Sequence, residues 1–196
     1  MLRTFSLAAI AAVALSAPAT TALAQGDDAA LAAFEKVCWA GAGDYLGTVG
    51  AANADGWKDS SVISDTPAGL SITDKTAREK SAGGATLTLL VTRGLQHTAK
   101  SGDFAVMTCK LSANKAVGGM MADSKAWMGG AAADNTPPDP TFAVYYVANG
   151  GATPSHIGLA GTQGAMNTSG AFGVLKFQSD SDSATFVYQV FSKPKA

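Results

Sequence analysis

Apolar residues alternate with polar ones in the middle of the chain, which is the pattern of a half-buried β-strand. Within residues 85–91, Leu87, Leu89 and Val91 form the apolar side of such a strand. The next segment, residues 104–111, alternates in the same way, and a short polar connection that includes Gly and Ser separates the two. Together the two segments predict an antiparallel hairpin.

Six further segments have the composition of strands, and Gly, Ser and Asp residues typical of turns separate them. They are residues 61–64, 69–74, 142–148, 157–159, 172–177 and 184–191. Residues 142–148 are apolar or aromatic on both faces, which is typical of a strand covered on both sides. Two interpretations are open for Tyr145, Tyr146 and Tyr188: they fill the core, or they line a ligand cavity.

Apolar residues at helical spacing predict three helices. The first begins at Asp27 and Asp28, whose carboxylates suit a helix N-terminus, and ends at Gly41. The second runs from residue 44 to about 54, and the third from residue 114 to about 128. This order predicts an α+β fold with a mostly antiparallel sheet of about six to eight strands, two N-terminal helices and one mid-chain helix.

The first 24 residues have the features of a secretory signal peptide. Arg3 supplies a positive start, residues 7–15 form an uncharged apolar run, and small residues precede a cleavage point after Ala24. The run is shorter than the roughly 20 apolar residues that a membrane span needs. We therefore expect a single α+β domain of residues 25–196, without a transmembrane segment, in the periplasm or secreted.

The chain contains two cysteines, Cys38 and Cys109. In an oxidising compartment an isolated pair forms a structural disulfide more often than a redox couple, which is usually spaced as CxxC. A structural zinc site would need two more ligands, and only His97 and His156 could supply them as imidazoles. The disulfide is therefore the favoured interpretation, joining the first helix to a central strand.

Composition narrows the possible partners. The chain has 14 basic and 15 acidic residues, a net charge of −1, so it has no basic excess with which to neutralise phosphates. This excludes nucleic acid as an expected partner and leaves a small molecule or another protein of the cell envelope.

Candidate catalytic residues are few. His97 and His156 are the two imidazoles, and Ser155 precedes His156 directly. Neighbouring residues on a strand point to opposite faces, so Ser155 and His156 do not form a catalytic pair by themselves. No GxSxG motif occurs in the sequence. A small exported hydrolase that uses His97 or His156 is therefore an alternative rather than the first interpretation.

Three methionines near the third helix give a second alternative. Met120, Met121 and Met128 could offer soft ligands to a metal ion in an exported protein, although methionine at helical spacing more often fills a core. We expect neither a bound metal nor a cofactor. The leading hypothesis is an exported protein of the binding or accessory type, without catalysis.

Overall fold

The computed structural model of the chain describes residues 29–41, 43–61, 69–98, 102–115, 120–127, 141–147 and 155–194. For a few residues in its helices and strands it describes the backbone alone: Thr98, Met120, Met121, Lys125, 141–147 and 155–156. The predicted signal peptide, residues 1–24, lies outside the described residues, and so does most of the strand predicted at residues 61–64.

An antiparallel sheet occupies the centre of the described structure. Its strands are β1 (Lys58–Asp59), β2 (Leu70–Ala82), β3 (Ala85–Thr98), β4 (Gly102–Ala113), β5 (Thr141–Val147), β6 (Ser155–His156), β7 (Ala171–Ser179) and β8 (Ala184–Ser192). They lie in the order β1-β2-β3-β4-β8-β7-β5-β6. Because β1 and β6 have two residues each, six of the eight described strands are long.

Helices accompany this sheet. They are α1 (Ala29–Phe34), which continues as a π-helical segment (Glu35–Trp39), α2 (Tyr45–Ala54), α3 (Met120–Trp127) and α4 (Gly158–Thr168). The α1 helix and the π-helical segment contact β4, while α2 contacts β3. The predicted α+β fold with an antiparallel sheet is confirmed. None of the described helices has the length and apolar character required to span a membrane.

The hydrophobic core lies between the N-terminal helices and one face of the sheet. Leu87, Leu89 and Leu111 are fully buried on β3 and β4, as the alternating pattern predicts. Phe34 of α1 stacks on Phe186 of β8 with the ring centroids 5.2 Å apart. Aromatic pairs of this kind add about 1 kcal/mol beyond the burial of their area.

The predicted disulfide is confirmed. Cys38, in the π-helical segment, is bonded to Cys109 on β4, with the two Cα atoms 5.5 Å apart. Both residues are completely buried. The bond therefore attaches the N-terminal helical layer to the middle of the sheet from inside the core.

A second anchor holds the C-terminal end of α2. The Asp55 carboxylate accepts hydrogen bonds from Lys36, from Lys80 of β2 (2.8 Å) and from the Trp57 indole (3.1 Å). Burial raises the pKa of Asp55, but these three donors outweigh it and hold the pKa below its usual value. The carboxylate thus stays charged at neutral pH and links α2 to the edge of the sheet.

The strand predicted at residues 157–159 is wrong. Strand β6 ends at His156, and α4 occupies Gly158–Thr168. This helix contains Gly161 and Gly164 in its interior, and each costs about 1 kcal/mol relative to alanine, so local propensity does not indicate a helix. Packing against β5 and β7, with Ala165 and Met166 buried, stabilises it instead.

Other predicted boundaries also differ, among them the end of the strand predicted at residues 85–91, since β3 runs to Thr98. Asn114 is not a helical residue: its side-chain oxygen accepts from the Thr86 backbone (2.8 Å) and extends the pairing of β3 with β4. The described helix begins at Met120. Strand β2 continues to Ala82, far beyond the predicted 69–74, because it pairs with β3 along its whole length. Its second half is rich in charged residues, as is common near a sheet edge, and therefore lacks the apolar alternation on which the prediction depended.

Candidate functional site

A cleft of about 470 Å³ opens where the helical layer stops covering the sheet. The turn before α2 and the first residue of α2 form one wall, and the ends of β3, β4 and β8 form the other. Its polar lining includes Asp44, Thr73, Arg93 and Ser192. Cavities of this volume are typical of sites for small molecules.

Arg93 is the only basic residue among the described residues that line the cleft. Its Nε donates to Asp74 Oδ2 at 2.5 Å, and its guanidinium carbon lies 5.2 Å from the centre of the Tyr45 ring. The hydrogen bond with Asp74 raises the pKa of Arg93 and lowers that of Asp74, so both groups are charged at neutral pH. The ion pair and the cation–π contact together orient the guanidinium.

A β-bulge places the partners of Arg93. The register of β2 against β3 shifts between Ile72 and Asp74, so Thr73 is the extra residue. The Thr73 hydroxyl donates to the Arg93 backbone carbonyl (3.2 Å), and Asp74 stands directly opposite Arg93. The bulge therefore brings a hydroxyl and a carboxylate to the same arginine.

Gly94 allows the two strands to approach at this bulge. A Cβ atom on Gly94 would lie 2.3 Å from the Ser71 carbonyl oxygen and 3.0 Å from the Ile72 Cα. Both are backbone atoms, which cannot swing aside as a flexible side chain could. Glycine is thus required here by close backbone approach, a common reason for glycine inside a strand.

The N-terminus of α2 supplies the opposite wall. Asp44 caps the helix by accepting from the Gly47 backbone (2.6 Å), as its position at the start of the second predicted helix indicates. The Tyr45 hydroxyl lies 2.6 Å from the Thr76 hydroxyl on β2. These contacts fix Asp44 and Tyr45 relative to Arg93.

The apolar part of the cleft comes from the sheet. Leu95, Ala105, Met107 and Val190 line it, and Leu95 remains 42% exposed. Gly43 brings the turn close to this surface, since its φ is 76° and a Cβ there would lie 2.6 Å from Val190 Cγ2. The cleft therefore combines a cation held by Asp74, the Asp44 carboxylate and an apolar wall.

A second cavity, of about 500 Å³, lies beside β1 and β2 and is lined by polar residues that include Lys58, Glu79 and Lys80. The Lys80 ammonium is already bound to the Asp55 carboxylate and carbonyl. The Lys80 ammonium therefore holds α2 in place. The described lining of this second cavity also lacks an apolar wall comparable to that of the cleft at Arg93. The cleft at Arg93 is for these reasons the better candidate site.

His97 lies at the end of β3, and its Nδ1 is 2.6 Å from Asp103 Oδ1 across the hairpin. Both side chains are largely exposed, and neither lines the cleft at Arg93. An aspartate on Nδ1 orients an imidazole as catalytic triads require, but the contact alone includes no nucleophile.

The other predicted site residues are placed only in part. Tyr188 is buried, with its ring 5.5 Å from that of Trp39, and belongs to the core. Six of them have only backbone positions, so their side chains lie outside the described structure: Tyr145, Tyr146, Ser155 and His156 on the strands, and Met120 and Met121 on α3. Met128 lies outside the described residues altogether. The tyrosine cavity and the methionine metal site remain predictions.

Within the part of the chain that the structure describes, no group of three or more His, Cys, Asp or Glu side chains is placed to hold a metal ion. The comparisons with known proteins assign no family or function to the chain. No family model matches the chain, and no curated protein or solved structure shows significant similarity to it. The candidate site therefore rests on its own geometry.

Proposed function

We propose that this protein is an exported small-molecule binding protein and that its ligand occupies the cleft at Arg93. The observation that carries this proposal is the oriented guanidinium beside an apolar wall, in a cleft of about 470 Å³. Binding sites typically combine an apolar lining with a few well-placed polar groups. The Asp44 carboxylate and the Tyr45 hydroxyl in the described lining are both held by hydrogen bonds within the protein, so the lining supports binding better than acid–base chemistry.

The hydrolase alternative is supported by one contact, the pairing of His97 with Asp103. This pair lies at an exposed hairpin end, where water would compete for its hydrogen bond and for any substrate contact. General acid–base catalysis gains from a site that excludes water. The exposed position makes catalysis the weaker of the two proposals.

Binding is tested with the uncharged fluorescent dye Nile red. We expect saturable binding of one dye per chain, and we expect Leu95→Ser to weaken it by about tenfold, because the variant removes apolar contact worth more than 1 kcal/mol. Leu159→Ser is the matched control, since Leu159 is also exposed (61%) but lies on α4. Equal effects of the two substitutions, or none from Leu95→Ser, would contradict a ligand site in the cleft.

Export is tested separately. When the full chain is produced in a Gram-negative host, we expect it in the periplasmic fraction with Gln25 as its first residue, because the apolar run and the small residues before the cleavage point direct secretion. A chain from which residues 1–24 are deleted should stay in the cytoplasm. Recovery of the full chain from the cytoplasm with Met1 retained would refute the proposed export.

A further inference from the structure

We infer that the ligand of this cleft is a zwitterionic α-amino acid with an apolar side chain, an inference that rests on the proposed binding function. Its carboxylate would lie on Arg93, its ammonium group on Asp44, and its side chain against the apolar wall. Each of these three contacts is supported by a separate feature of the cleft.

The positive group of the cleft is the Arg93 guanidinium, which has N–H donors available for a ligand. Arg93 contacts Asp74 through Nε, and no described residue accepts a hydrogen bond from its two terminal nitrogens. The side chain is 49% exposed, so these nitrogens are accessible to a ligand. Parallel N–H groups of an arginine fit the two oxygens of a carboxylate.

The negative end is the Asp44 carboxylate. Its Oδ2 caps α2, and no described residue donates to its Oδ1. Asp44 is the carboxylate in the described lining, and Asp74, beside the cleft, already pairs with Arg93 and balances its charge. A ligand that carried only a carboxylate would therefore meet a net negative surface, whereas an ammonium group beside that carboxylate turns the repulsion into attraction.

The apolar wall selects the remainder of the ligand. Leu95, Met107 and Val190 lie on β3, β4 and β8 and face the cleft beyond the charged groups. A free amino acid that lacked an apolar side chain would leave this surface in water. Leucine is a suitable probe because it joins both charges to a branched apolar group, which gains free energy when it leaves water.

The experiment compares leucine with two analogues by calorimetric titration of the disulfide-bonded protein. Isocaproate lacks the ammonium group of leucine, and isopentylamine lacks the carboxylate. We expect each analogue to bind about tenfold more weakly than leucine or worse, the loss of one hydrogen bond to a charged group. Glycine, which lacks the side chain, should also bind more weakly than leucine.

Two substitutions assign the charges. Asp44→Asn keeps a good helix cap but removes the negative charge, so it should abolish the preference for leucine over isocaproate. Arg93→Gln should abolish the preference for leucine over isopentylamine, and a thermal melt checks that this variant is folded. Asp44→Asn is the more informative of the two variants, because the asparagine side-chain oxygen can still cap α2 while the negative charge is gone.

The outcomes separate this inference from the binding function. If isocaproate binds the unsubstituted protein as tightly as leucine, or if the preference for leucine survives Asp44→Asn, the ligand is not a zwitterion held by these residues. If leucine does not bind while Nile red still depends on Leu95, the amino-acid assignment is wrong and the binding function stands. If neither probe binds in the cleft, both proposals are wrong.

Discussion

Replacing Cys38 and Cys109 together by alanine is expected to lower the free energy of unfolding by about 4 kcal/mol in the chain-entropy model. The bond joins residues 71 positions apart, so it removes a large share of the freedom of the unfolded chain. It also holds the N-terminal helical layer against β4 from inside the core. Urea unfolding followed by circular dichroism measures the difference.

The same measurement with a reductant provides the control. Reductant should shift the unfolding midpoint of the original protein toward that of the double variant, since the buried bond becomes accessible as the chain unfolds. The double variant itself should not respond to reductant. An unchanged midpoint for the original protein, under conditions in which free thiols are detected after unfolding, would refute a stabilising role for the bond.

The contribution of the disulfide to the free energy of unfolding bears on the proposed export. Typical domains have a total stability of about 5–15 kcal/mol, so a loss of about 4 kcal/mol is a large fraction. Disulfides persist in oxidising compartments and are rare in the cytosol. The protein would therefore acquire much of its stability only after transport, which agrees with the signal peptide predicted for residues 1–24.

The sequence pattern predicted the central strands because apolar and polar residues alternate along parts of them at the strand period. Leu87, Leu89 and Leu111 are fully buried as this pattern predicts, but residues 89–92 and 106–109 are buried on both faces of the sheet, which the pattern does not predict. The pattern failed at α4, where glycines weaken the helical signal and contacts with β5 and β7 supply the stability. The strand that it predicted at residues 69–74 was also too short, because the charged second half of β2 lacks the apolar alternation of a strand.

The candidate site was less predictable than the fold. Asp44 and Tyr45 were recognisable as the start of a helix, but Arg93 and Asp74 carried no local signal. They are 19 residues apart and meet only through the register and bulge of β2 and β3. The one trace in the sequence is Gly94, since a glycine inside a strand often marks a bulge or a close backbone approach.

Gly94→Ala is expected to lower the free energy of unfolding by about 3 kcal/mol, at the upper end of the cost of overpacking. The added methyl carbon would lie 2.3 Å from the Ser71 carbonyl oxygen, so β2 and β3 must move apart. That movement would separate Thr73 and Asp74 from Arg93, and ligand binding in the cleft should weaken with it. Urea unfolding and leucine titration measure the two effects.

Gly50→Ala is the matched control for this prediction. Gly50 is an exposed residue inside α2, and no atom lies within 4 Å of the position that its Cβ would take. Neither glycine has a positive φ, so the two substitutions differ in the space available rather than in backbone strain. Alanine at position 50 should stabilise the protein by about 0.5–1 kcal/mol through helix propensity. If Gly94→Ala is also neutral or stabilising, the strands do not approach at the bulge as closely as described, and the placement of Asp74 beside Arg93 loses its structural basis.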